Sequence, residues 1–198
     1  MERYENVETA DEYISILSWK DSLEMIEEVL DGGKLSSKDE TQWGNLRRHY
    51  EDLGFVERRP YLQNPKRSVY EPTGRLEEFY DTVRSYREEI KGFDDVIESF
   101  TRKTAEWTGF LASFEEGDTA SDLYPVIDET NPDRYLVQGE KLSLLHTREH
   151  SESEQEVIDE KTEKGRKVQE FVREVGDSLP HPDTAQASEE EEKPVWKR

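Results

Sequence analysis

Six cationic side chains stand close together in a chain otherwise dominated by acid. Arg47, Arg48, Arg58, Arg59, Lys66 and Arg67 fall between Gln42 and Val69, against Glu51, Asp52 and Glu57, a local balance of +3. The 198-residue chain as a whole carries −21, so everything outside that segment amounts to −24. Guanidinium groups fork onto phosphate or onto a guanine edge, and ammonium groups hold phosphate as point charges. If Trp43, Leu46, Tyr50 and Leu53 are the apolar face of one helix, a step of about 100° per residue puts Thr41, Asn45 and Arg48 on the opposite face. Arg48 then suits guanine or phosphate, and Asn45 suits an adenine edge. Arg47 lies beside them, and Arg58, Arg59, Lys66 and Arg67 flank a turn, placed for phosphates or for a minor groove. The expected partner is double-stranded DNA. Asp39, Glu40 and Asp52 border the same face and would repel phosphate, which keeps a protein partner open as the alternative.

Other constellations point to less. His146 and His150 are four residues apart and would share one face of a helix, but they lack a third ligand and the His-Glu-x-x-His order. They read as surface histidines, with no metal. The Glu-rich runs at 152–163 and 189–192 contain no Asp-x-Asp-x-Asp-Gly loop and read as solvated faces. No phosphate-binding loop, dinucleotide-binding glycine pattern or Gly-x-Ser-x-Gly motif is present, so neither an enzyme nor a cofactor is expected. Trp107, Phe110, Leu111 and Phe114 could line an effector pocket, yet no polar groups converge there. The absence of cysteine excludes disulfides, thiolate metal sites and cysteine nucleophiles.

Hydrophobic periodicity supplies the elements that must position the cations. Residues 9–19 form a short amphipathic segment with Thr9 as its cap, and Asp21 or Ser22 opens a helix carrying Leu23, Ile26, Val29 and Leu30. Gly32-Gly33 ends it, Ser36 or Ser37 caps the Trp43–Leu53 helix, and Gly54 stops that one. Phe55-Val56 begins a strand, Pro60 and Asn64-Pro65 make a turn, and Ser68-Val69-Tyr70 returns. Thr73 caps a long helix with Leu76, Phe79, Tyr80, Val83, Tyr86 and Ile90. It is interrupted at Gly92 and resumes through Phe93, Val96, Ile97, Phe100, Trp107 and Leu111. So long a stripe on so polar a chain calls for a partner surface, either the first domain or a twin in a second chain. Residues 115–132 read as turns, and 134–175 as mostly helical with a final stripe of Val168, Phe171, Val172 and Val175. No internal repeat is evident, and the low-complexity end from Pro180 reads as disordered.

Helix, turn, helix, basic hairpin and exit helix is the winged-helix order. NLRRHYEDLGFVERR followed by KRSVYEPTGRLEEFY resembles the recognition helix, wing and exit helix of MarR- and PadR-type transcriptional regulators. The matching positions are Leu46, Leu53, Gly54, Phe55, Val56, Tyr70, Thr73 and Gly74. The resemblance implies sequence-specific DNA binding. One departure is the short LSSKDETQW link, where those families place a complete middle helix.

Composition sets the remaining bounds. Only 32% of residues are apolar and mean hydropathy is −1.04, so one large core is not expected. Acid spread through the helical segments fits a high-salt cytoplasm, where counterions screen self-repulsion, and suggests a halophilic source. The opening residues lack the regions of a signal peptide, and no apolar run approaches the ~18 residues of a spanning helix, so no membrane and a cytoplasmic location are expected. The expected fold is mainly α with a small β-hairpin wing. It comprises a winged helix-turn-helix domain at 10–90, a helical extension at 91–175 that forms a homodimer, and a disordered acidic tail at 176–198. The expected function is transcriptional regulation. The alternatives are a winged-helix interaction or scaffold module, or a replication or partition protein of a plasmid or virus.

Overall fold

The computed structural model describes residues 4–19, 22–32, 35–36, 44–60, 68–100, 105–123, 133–149 and 156–179. Met1–Ser18 with Thr82–Asp177 form one compact unit, and Trp19–Asp81 with Ser178–Arg198 form a smaller one. No helix among the described residues is long and apolar enough to cross a membrane. The secondary structure is mainly helical with antiparallel hairpins.

In the smaller unit, α2 (Ser22–Leu30) buries Ser22, Met25, Ile26 and Val29, the three- and four-residue spacing of one helical face. A short strand, β1 (Leu35–Ser36), pairs with the outgoing strand of a hairpin, β2 (Val56–Pro60) and β3 (Ser68–Pro72), in the order β1-β3-β2. Between them lies α3 (Gly44–Asp52), and α4 (Gly74–Glu89) leaves the hairpin. Tyr50 of α3 is fully buried, and its hydroxyl meets the Ser22 hydroxyl at 2.7 Å and donates to the Ser22 carbonyl at 3.1 Å. Phe55 joins the core between Tyr50 and Phe79, at centroid distances of 5.7 and 5.0 Å.

The larger unit holds α1 (Val7–Leu17), the part of α4 from Thr82, α5 (Phe93–Ser99), α6 (Ala105–Ser113), α7 (Ala120–Leu123) and α8 (Asp133–Lys141). A second antiparallel hairpin comes next, β4 (Leu145–Glu149) and β5 (Glu156–Lys161), and then α9 (Glu163–Ser178). Its core is aromatic. Trp107 stacks on Phe110 and Tyr135, and Phe171 meets Tyr86 and Phe93 edge-on. Lys161 is buried as well. Its ammonium is satisfied by Glu115 and Gln169, both at 2.7 Å, and lies 4.9 Å from the Phe114 ring centroid.

The two units are built on one frame. α8, β4 and α9 each begin and end 89 residues after α3, β2 and α4. The hydrogen bonds repeat at the same interval. Leu53, Gly54 and Phe55 N–H donate to the carbonyls of His49, Glu51 and Tyr50, and Leu142, Ser143 and Leu144 donate to those of Gln138, Glu140 and Gly139. Gly54 (φ 68°) and Ser143 (φ 58°) both take the left-handed conformation that ends the helix. Thr73 then binds back through its N–H to Phe55 O and its hydroxyl to Gly54 O, and Thr162 does the same to Leu144 O and Ser143 O. β1 has its counterpart too, since Thr119 bridges Val157 as Ser36 pairs with Val69.

Several expectations are corrected by this architecture. The segment 134–175, read as mostly helical, contains a hairpin, and the helical extension at 91–175 includes a second helix–hairpin–helix beginning at α8. The chain does contain an internal repeat. Thr9 is buried within α1 and does not cap it. The long apolar stripe finds its partner inside the chain, with Phe93, Val96, Ile97, Phe100 and Trp107 all 5% exposed or less. Trp107, Phe110, Leu111 and Phe114 are fully buried in the core. The final helix runs to Ser178, and the rest of the expected tail, from Pro180, lies outside the described residues.

Two outcomes are expected for stability. A left-handed serine costs about 1 kcal/mol relative to glycine, so Ser143→Gly should raise the unfolding free energy by about that much in urea titrations. Gly54→Ala should lower it, because a Cβ there would stand 2.7 Å from Arg75 Nη1, which donates to Leu53 O at 2.9 Å. The second outcome concerns Asp11 on α1, half-buried beside Glu106 and accepting a hydrogen bond from Thr108 of α6 at 2.6 Å. Desolvation foremost, then the charge of Glu106, raises its pKa against the lowering bond from Thr108. The folded state therefore holds this proton more tightly than the unfolded chain, and the stabilisation is lost as pH rises through the raised value. Asp11→Asn should increase the melting temperature more at pH 8 than at pH 4, and an equal gain at both would contradict it.

Candidate nucleic-acid interface

The cations are placed by two local rules, the helical face of α3 and the two-residue alternation of β2. On α3, Tyr50 is buried while Arg48 and His49 are exposed, as the 100° step requires. Arg47 is half-buried, with its guanidinium carbon 5.3 Å from the Tyr70 ring centroid, within the range of a cation–π contact. Arg48 makes no ion pair with any described residue. Asn45 falls in the first turn of α3, and Thr41, Lys66 and Arg67 lie outside the described residues.

Alternation separates the adjacent arginines of β2. Arg58 pairs across the sheet with Tyr70, and Arg59 with Val69, so the two point to opposite faces of the hairpin. Arg58 shares the face of Tyr70, the ring on which Arg47 rests, and its Nε donates to the Ser68 hydroxyl at 2.8 Å. Arg59 faces the other way, between two carboxylates. Its Nη2 meets Glu57 at 2.8 Å and its Nε meets Glu71 at 3.3 Å. The hydrogen bond to Glu57 and the charges of both acids raise its pKa further above the ordinary arginine value. The structure thus rests Arg47 on Tyr70, places Arg58 across the sheet from Tyr70 on the same hairpin face, with Arg48 next along the helix, and sets Arg59 apart as a neutralised group.

Two participants escape a reading of the sequence. Tyr70 reads in sequence as an ordinary strand residue, but it is the platform between α3 and the hairpin. Glu71 is the cross-strand partner that neutralises Arg59. The signal for both is present in the chain, because a strand starting with buried Val56 puts Arg58 on the face of Val56 and Arg59 on the other. The histidine pair dissolves. His146 stands exposed on β4, where residues four apart do not share a helical face, and His150 lies outside the described residues.

No family model, curated protein or solved structure matches this chain.

The different states of the two wing arginines can be read chemically. Arginine-selective modification with phenylglyoxal, monitored by mass spectrometry, should label Arg48 and Arg58 before Arg59. Glu57→Gln combined with Glu71→Gln should remove the delay at Arg59, and equal rates in the unmodified protein would contradict the ion-pair assignment.

Proposed function

We propose that the Trp19–Asp81 unit is a winged helix that binds double-stranded DNA, of the kind found in MarR- and PadR-type regulators, and that the protein regulates transcription. The observation that carries this reading is Arg47 resting on Tyr70, Arg58 opposite Tyr70 on the same hairpin face and Arg48 exposed beside them, in a chain of net charge −21. In this arrangement α3 enters the major groove with Arg48, Asn45 and Thr41 toward the base edges. The β2–β3 hairpin lies along the backbone, with Arg58, Lys66 and Arg67 on phosphates. Chains paired as a homodimer would engage two half-sites about one helical turn apart.

The ionic cost of working in concentrated salt bears on the mechanism. Each phosphate contact contributes a slope near −0.9 to a log–log plot of affinity against salt. Six contacts would give about −5, and leaving Arg59 out reduces the count to five at most. Binding that survives high salt must therefore draw on base-edge hydrogen bonds and on shape.

A second reading is favoured by one observation. Glu57 and Glu71 put an acidic margin around Arg59 on the outer hairpin face, which suits docking on a protein better than lying on phosphate.

Fluorescence anisotropy with duplexes selected from a random pool distinguishes the two. Arg58→Ala should weaken binding about tenfold, whereas Arg59→Ala should change it less than about threefold and leave the salt slope unaltered. Selection that enriches no duplex, or equal losses from both substitutions, would remove the DNA reading.

A further inference from the structure

We infer that the two repeats divide their labour, so that the chain holds a single duplex through the Trp19–Asp81 unit while the α8–β4–β5 unit, built on the same frame, is closed to nucleic acid. The inference rests on the DNA reading of the first unit and adds which of two like-built surfaces bears it.

The common frame allows comparison position by position. Where α3 carries Arg47 and Arg48, α8 carries Leu136, which is fully buried, and Val137, which is 40% exposed. Where β2 carries Arg58, β4 carries Thr147, whose backbone N–H and hydroxyl both donate to Glu140 at 2.8 and 2.7 Å. Glu140 has its like in Glu51, so the difference at this corner is the loss of guanidinium groups, with Leu136, Val137 and Thr147 standing where the first unit has Arg47, Arg48 and Arg58. The platform differs as well. Thr147 pairs across the sheet with Ile158, as Arg58 pairs with Tyr70, and Ile158 offers a cation no aromatic face.

One cation is shared. Arg148 stands where Arg59 does, and it is neutralised in the same way, its Nε lying 2.6 Å from Asp159. Arg134, in the place of Asn45, folds over its neighbour, with its guanidinium 5.1 Å from the Tyr135 centroid and hydrogen-bonded to that hydroxyl at 3.2 Å. In sequence, 57–68 of the first hairpin sum to +3, and 146–156 of the second sum to −3. A phosphate brought to the second unit as to the first would meet Glu149 and Glu156, which have no acidic counterparts in the first hairpin, and at close range like charges cost more than shape complementarity returns.

The test uses the full chain and a duplex of about 12 base pairs, too short for two helices spaced one turn apart. Three proteins are titrated by anisotropy at low and high KCl: the unmodified chain, Arg48→Ala with Arg58→Ala, and Arg134→Ala with Arg148→Ala. Circular dichroism checks that each is folded. The expected result is saturation at one duplex per chain, loss of at least about tenfold in the first variant, and a change within about twofold in the second. Saturation at two duplexes per chain, or comparable losses in both variants, overturns the division of labour while leaving DNA binding intact. Absence of any duplex affinity in the unmodified chain instead refutes the reading of the first unit, and the inference falls with it. The stoichiometry is read on the unmodified protein and does not depend on either variant folding.

Discussion

The orientation of the helix against the hairpin depends on one small knot of hydrogen bonds. A residue in the left-handed conformation ends α3, the chain reverses, and Thr73 reaches back through both its N–H and its hydroxyl to the carbonyls just past the helix. Each bond is modest by itself, about 1 kcal/mol net. Their value is directional, because they fix the exit of α3, the start of β2 and the first turn of α4 within a few residues. Any contact made jointly by α3 and the hairpin inherits that geometry. Arg47 can rest on Tyr70 only because the helix and the strand meet there at a set angle.

The first unit is readable because its turn is written in residues whose chemistry is specific to it. Leu53-Gly54-Phe55-Val56 spells a helix stop and then a strand, and Thr73-Gly74 spells a helix start. The second unit uses the same turn with Ser143 in the glycine's place, which removes the strongest mark of a left-handed residue. Its apolar positions are kept by type and not by identity, Leu144 for Phe55 and Leu145 for Val56, since burial asks only for a hydrophobic group of suitable size. What persists literally is sparse: Glu51 and Glu140, Leu53 and Leu142, Arg59 and Arg148, Glu71 and Glu160, Thr73 and Thr162, Val83 and Val172, Arg84 and Arg173. A bulge at Asp159 also shifts the second hairpin by one residue and blurs the alternation along β5. Charged residues of that hairpin then read as one polar stretch of helix.

The candidate site is legible as composition and only partly as geometry. A local excess of arginine is visible in any count, whereas its division between two faces depends on knowing which residue opens the strand. Arg58 and Arg59 are neighbours in sequence and strangers in space, one beside an aromatic ring and one between two acids. The acid-rich background sharpens the point. In a chain with nearly twice as many acidic as basic side chains, pairing with a carboxylate is readily available to a cation, and Arg59 and Arg148 take it.

The bridge at Thr119 and the pairing at Ser36 anchor the chain on the sheet shortly before α8 and α3, at equivalent points of the two frames. Seven residues separate Ser36 from α3, whereas thirteen separate Thr119 from α8, and the extra length includes α7. With both ends of this connection tethered, the six-residue difference in length leaves the helix and hairpin downstream on the same frame. Such a span is a natural place for evolutionary tinkering or for inserting a reporter peptide, because length there is uncoupled from the rest of the scaffold.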